Sequence, residues 1–195
     1  MASPPAASTA TLILDAAERR AQSFGFNGFS YADIADELRV TTATIHYRFS
    51  AKSDLGADLL QRYSRRFAEA LADISGREPS AAAKLRAYAL LYEEVLREGR
   101  LCLCGILAAE YETLPAQMRA HIVAFFANNE AWLANVLRAG RERGELRFAG
   151  EPRDHAMAII CGLEGALLVT RAYGGVERFR AAAEIVLADA AAAAA

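Results

Sequence analysis

The chain is short of several things, and each shortage closes off a class of protein. Of 195 residues only three are cysteine, Cys102, Cys104 and Cys161. An odd number of thiols does not make a disulfide framework, and a Cys-x-Cys pair without a second Cys/His cluster is a poor zinc signature. Free thiols, no structural metal and no cofactor are expected. No run approaches the roughly 18 uninterrupted apolar residues that a membrane span needs. The start, MASPPAAS, has neither the basic beginning nor the apolar stretch of a signal peptide. The expected setting is the cytoplasm, without a membrane partner. There is also no phosphate loop, no paired metal ligands, no nucleophile elbow, and no motif linking His121 or His155 to a cysteine. A cysteine-dependent enzyme therefore has little to stand on. Apolar/polar alternation is missing too, which excludes a half-buried sheet.

Excess charge is likewise absent: 22 Lys and Arg against 24 Asp and Glu give a net charge of -2. The average conceals an asymmetry. From Arg39 to Arg66 six cations face two anions, whereas residues 67 onward carry 14 cations and 17 anions. A local basic zone in the first third suits an anionic partner better than indiscriminate binding would.

What the chain does have is helix-forming residues, punctuated by Gly or Pro at helix-length intervals, and 54% hydrophobic residues to build a core. The fold class is all-α, with about nine helices. The first is expected over 9 to 24, stopping at Gly25. Ser30 caps YADIADEL, and Thr41 or Thr42 caps the next short helix. A long helix over 51 to 74 follows, on which Leu55, Leu59, Tyr63, Phe67, Leu71 and Ile74 recur every three or four residues. Further helices are expected over 80 to 98, 102 to 113, 116 to 143, 153 to 173 and 176 to 190. The alanine-rich tail either extends the last helix or frays. The organisation is an N-terminal helix-turn-helix domain, 9 to 50, and a larger helical domain, 51 to 195, joined through the helix at 51 to 74.

The segment TTATIHYRFSAK, 41 to 52, is unusually polar for a helix. At 100° per residue Ile45 and Phe49 share one side, and Ala43, Thr44, His46 and Tyr47 lie across the other. Hydroxyls, a ring nitrogen and apolar edges around a small alanine are what base edges and thymine methyls in a major groove require. Lys52, at the start of the following helix, suits a phosphate. A solvated surface turn is the plainer alternative.

The run GFNGFSYADIADELRVTTATIHYRFSAKSDL, 25 to 55, closely resembles the DNA-binding domain of TetR-type transcriptional repressors. A Gly-aromatic end to helix one, a Ser cap, an Ile-Ala pair, a Val before the recognition helix, an aromatic pair before Phe, then Lys and Leu all stand in the family's order. The resemblance implies base or phosphate contacts from Thr42, Ala43, Thr44, His46 and Tyr47, and phosphate contacts from Tyr31 and Lys52. It also implies a homodimer on a double-stranded palindromic operator, released by a small-molecule effector. Departures are Thr42-Ala43 for a frequent Lys-Gly, His46-Tyr47 for Tyr-His, and Arg20-Ala21 for a bulky apolar pair in helix one. A helical adaptor that keeps the fold without binding DNA is the competing reading.

In the larger domain, HAMAIICGLEGALLVTRAY is apolar nearly all round. It is either a dimer interface (Met157, Ile160, Gly162, Leu163, Gly165 and Leu168, with Ile185 from the last helix) or a buried helix of one subunit. LCLCGILAAE resembles a Gly-Cys-Leu helix in a branch of the family that responds to reactive electrophiles. Cys102 or Cys104 is then either a thiolate activated near a helix N-terminus or a buried structural thiol. A reversible apolar ligand is the other expectation, contacting some of Tyr88, Tyr92, Cys102, Cys104, Ile106, Glu110, Phe125, Asn129, Trp132 and Met157.

Overall fold

The computed structural model describes residues 8 to 188. Among them the chain is helical throughout, with nine α-helices: α1 (Thr9–Phe24), α2 (Tyr31–Leu38), α3 (Thr42–Arg48), α4 (Lys52–Arg77), α5 (Ala81–Arg97), α6 (Leu103–Ala109), α7 (Ala116–Glu142), α8 (Pro152–Tyr173) and α9 (Val176–Ala188). A 3-10 turn, Tyr111–Thr113, follows α6. The expected single helix over 102 to 113 is thus two pieces broken at Glu110, whose side chain is engaged elsewhere. The question of the alanine tail falls beyond residue 188 and outside the described residues.

The helix starts follow from local chemistry. Ser8 accepts the Thr11 amide at 3.1 Å, and Thr41 accepts the Thr44 amide at 3.3 Å. Ser30 and Asp33 form a reciprocal capping box, with the Ser30 amide donating to Asp33 at 2.7 Å. Those bonds to Ser30 hold the Asp33 carboxyl below its ordinary pKa. Arg39 ends α2 with φ +55°, the left-handed cap that lets α3 leave at a sharp angle.

α1, α2 and α3 close around Ile13, Ala17, Ile34, Ala35, Ile45 and Phe49, all buried. Arg20-Ala21 is accommodated without a bulky pair: Ala21 is buried, and Arg20 donates to Glu37 of α2 at 2.9 Å. α4 is fixed to α1 by Arg62, which pairs with Asp15 at 2.7 Å and Glu18 at 2.9 Å, and by Arg66 on the same Glu18. Helices α5 and α7 pack against α4, and α8 and α9 pack on those two and on each other. By length and composition alone α8 could cross a membrane, but in this fold its inner face, including Ile159, Leu163 and Leu167, is buried against the neighbouring helices.

Candidate DNA interface and regulatory core

α3 is held from inside and left bare outside. Ile45 and Phe49 are buried, whereas Thr42, Ala43, His46 and Tyr47 are exposed and Thr44 half-exposed. Tyr47 is 82% exposed, a large aromatic with no packing role in this chain. Arg48 lies near its ring, 5.5 Å from the centroid. His46 is steadied by an edge contact with Tyr31, centroids 4.8 Å apart.

Two of the expected DNA contacts are otherwise occupied. Tyr31 is buried and donates its hydroxyl to the Phe49 carbonyl at 3.0 Å; burial, with Asp54 nearby, pushes its pKa up to about 12. It supports α3 rather than presenting a free hydroxyl. The Lys52 ammonium points inward, donating to the Phe26 and Phe29 carbonyls and lying over both rings at 4.5 and 4.2 Å. Burial lowers its pKa, and Glu110 and Asp33 oppose that. Lys52 therefore ties α4 to the turn between α1 and α2, and two of its three proton donors are committed to those carbonyls.

Several of the residues expected around a ligand pack and hydrogen-bond with one another. Tyr88 and Tyr92 are buried with hydroxyls 2.9 Å apart, and Tyr88 donates to Asn129 Oδ1 at 3.2 Å. Asn129 donates to the Phe125 carbonyl at 2.8 Å, Trp132 stacks on Tyr88 with centroids 5.7 Å apart, and its indole donates to Ser75 at 2.9 Å. These polar groups satisfy one another. Glu110 turns away from the core toward the α1–α2 turn. Ile106 and Met157 line two grooves between α6 and α8. One, about 290 Å³, runs past Phe126, Met157 and Ile160; the other, about 190 Å³, runs past Leu101, Ile106 and Leu168.

Glu164, the single acid between Asp154 and Glu177, floors both grooves and was not singled out from the sequence, although an isolated carboxylate in so apolar a helix was the available signal. Its Oε1 is closed to solvent and has no hydrogen-bond partner. Burial pushes its pKa up to about 7, with the Cys102 thiol pulling slightly the other way.

Of the two alternatives for Cys102 and Cys104, burial favours the structural thiol. Cys102 caps α6 and receives help from the Gly105 amide and the Tyr63 hydroxyl, the latter at 3.6 Å, yet desolvation and Glu164 drive its pKa well up. Cys104 behaves likewise, with burial first and Cys102 second. Removal from water outweighs any dipole here, so both are neutral core thiols.

One side of α8 is buried within the chain and the other is bare. Ile160 and Leu163 are buried within the chain, and a Cβ on Gly162 would come 2.7 Å from Val186 of the chain's own α9. Those three do not face outward. Met157, Gly165 and Leu168, with Ile185 of α9, do: Leu168 is 59% and Ile185 73% exposed, and nothing lies within 4 Å of a Cβ on Gly165.

Helices of this order, with a short exposed third helix on a capped helix-turn-helix, define a DNA-binding transcriptional regulator. The model of the bacterial regulatory proteins of the tetR family matches residues 13–59, and the tetracyclin repressor-like C-terminal domain matches 81–186. The transcriptional regulator AcuR of Cereibacter sphaeroides is 31% identical over 149 residues, 74% of this chain and 68% of that one. A TetR-family regulator from Agrobacterium tumefaciens superposes with a TM-score of 0.90 at 30% identity, covering 93% of this chain and 97% of that one. A TetR regulator from Legionella pneumophila gives 0.85 at 28% identity, covering 96% and 100%. The chain belongs to the TetR family: it is a transcriptional regulator and not an enzyme.

Proposed function

We propose that this regulator is a cytoplasmic repressor that binds a palindromic operator as a homodimer and releases it when a small molecule binds the larger domain. Residues 9 to 50 form the DNA-reading unit and 51 to 195 the sensing and dimerising unit. The observation that carries the DNA reading is α3 itself. Its apolar side is spent on the core, and Thr42, Ala43, Thr44, His46 and Tyr47 remain for base edges and phosphates. Lys52 and Tyr31 act through the frame of the helix instead of through phosphate.

One seven-residue helix reads only a few base pairs, so a two-fold pair is needed, with half-sites about 34 to 36 Å apart or a multiple of that. The bare strip of Met157, Gly165, Leu168 and Ile185 supports α8 and α9 as the shared face. For the effector, buried neutral thiols favour a reversible apolar ligand over thiol alkylation, and the grooves between α6 and α8 are its proposed entry. Duplexes recovered by selection from a random library with the wild-type protein provide the test. Fluorescence anisotropy should show tight binding that His46→Ala and Tyr47→Ala each weaken by about tenfold or more, a loss of about 1.4 kcal/mol or more apiece. Equal affinity in the folded variants would favour the adaptor reading.

A further inference from the structure

The end of α1 and the turn after it, Gln22 to Asn27, carry two kinds of unsatisfied backbone group: carbonyls at the helix C-terminus, and amides just beyond it. Each kind is met by a side chain of opposite charge from the regulatory helices. Arg171 of α8 donates to the Ser23 carbonyl at 2.8 Å and the Gln22 carbonyl at 3.3 Å. This is a cation on the negative end of the helix. Glu110, which caps α6, accepts the Phe26 amide at 2.7 Å and the Asn27 amide at 3.4 Å. Asn27 in turn donates its side-chain amide to Thr113 at 2.7 Å, and the Leu101 amide donates to the Gln22 carbonyl at 3.1 Å. Gly25 has φ +81°, and a Cβ there would sit 2.3 Å from Glu110 Oε1, so the turn is shaped to admit this carboxylate.

The same two helices touch at the floor of the grooves. Glu164 of α8 lies over Gly105 of α6 so closely that a Cβ on Gly105 would come within 2.1 Å of Oε2. Because α1 is locked to α4 by Arg62 and Arg66 and packs on α2, which in turn packs on α3, a shift of the α1 end carries the recognition helix with it. We propose that Glu110 and Arg171 form a clamp that fixes the angle of the recognition helices in the DNA-binding state, and that separating α6 from α8 at Gly105 and Glu164 opens it. Both are positioning residues; neither touches DNA. The inference rests on the DNA-binding reading above and adds to it the route by which a ligand acts.

The test uses full-length protein with three sets of duplexes: the palindromes recovered by selection, single half-sites, and palindromes whose spacer is lengthened or shortened by one or two base pairs. For Glu110→Gln with Arg171→Ala, palindrome affinity should fall about tenfold, within the usual range of allosteric coupling, while half-site affinity stays within about twofold. The preference for the native spacer should flatten. Gly105→Ala, which forces Glu164 off α6, should give the same flattened profile with the clamp residues intact. If the double variant fails to fold, Glu110→Gln alone keeps a neutral acceptor and should shift the profile in the same direction. An unchanged spacer profile in these variants, or parallel loss of half-site and palindrome affinity, overturns the clamp. Failure to recover any duplex would count against the DNA reading instead.

Discussion

The carboxylate of Glu164 rests on the backbone of Gly105, in space that a single methyl group would fill, and there it has one oxygen sealed from water without a partner. A buried acid in that state binds its proton in the folded chain at pH values where the unfolded chain has released it, between the ordinary 4.5 and about 7. The unfolded state therefore holds fewer protons across that window, and stability falls as pH rises through it, by at most about 3 kcal/mol. Denaturant titrations from about pH 5 to about pH 8 should show this slope in the wild type and a flatter one in Glu164→Gln. Identical slopes would mean that the carboxyl is not held neutral.

Thiol reactivity should divide by burial. Under native conditions, N-ethylmaleimide followed by intact mass and peptide mapping should place any adduct on exposed Cys161, with Cys102 and Cys104 modified only after denaturant is added. Rapid native labelling of Cys102 that also releases DNA would restore the electrophile-sensing reading.

Lys52 separates a structural from a phosphate role. Lys52→Met leaves the Phe26 and Phe29 carbonyls without their donor and should cost about 1 to 3 kcal/mol of stability. The slope of log affinity against log salt should be unchanged, whereas loss of a true phosphate contact would lower it by about one.

Oligomeric state should follow the exposed side of α8 and α9. Leu168→Glu combined with Ile185→Glu places charge on the bare strip and should give a folded monomer in sedimentation velocity. Leu163→Glu, on the buried side, should unfold the chain instead of splitting it.

The helix boundaries, the capping box at Ser30 and the two faces of α3 were legible from the sequence because each depends on near neighbours: an N-cap and its third residue, or a period of 3.6. Contacts decided by a distant partner were not legible. Nothing local to Lys52 indicates that its ammonium lands on carbonyls 23 and 26 residues upstream. Glu110 looks like a ligand contact until the turn 83 and 84 residues before it is folded beneath it. The tyrosines of α5 read as pocket lining because aromatic content is visible in sequence, while mutual satisfaction of their hydroxyls is not. In α8 the ring of apolar residues concealed which half α9 covers.

The bare outer face of α3 is the claim on which the rest depends, and its most direct measurement is paired. Ile45→Ala and Tyr47→Ala should be compared by thermal unfolding and by anisotropy on the selected palindrome. Ile45→Ala is expected to lose about 2 to 5 kcal/mol of stability as a buried anchor. Tyr47→Ala should melt like the wild type and bind the palindrome at least about tenfold more weakly. A Tyr47→Ala protein that is folded and binds with wild-type affinity would contradict the assignment of this face to DNA.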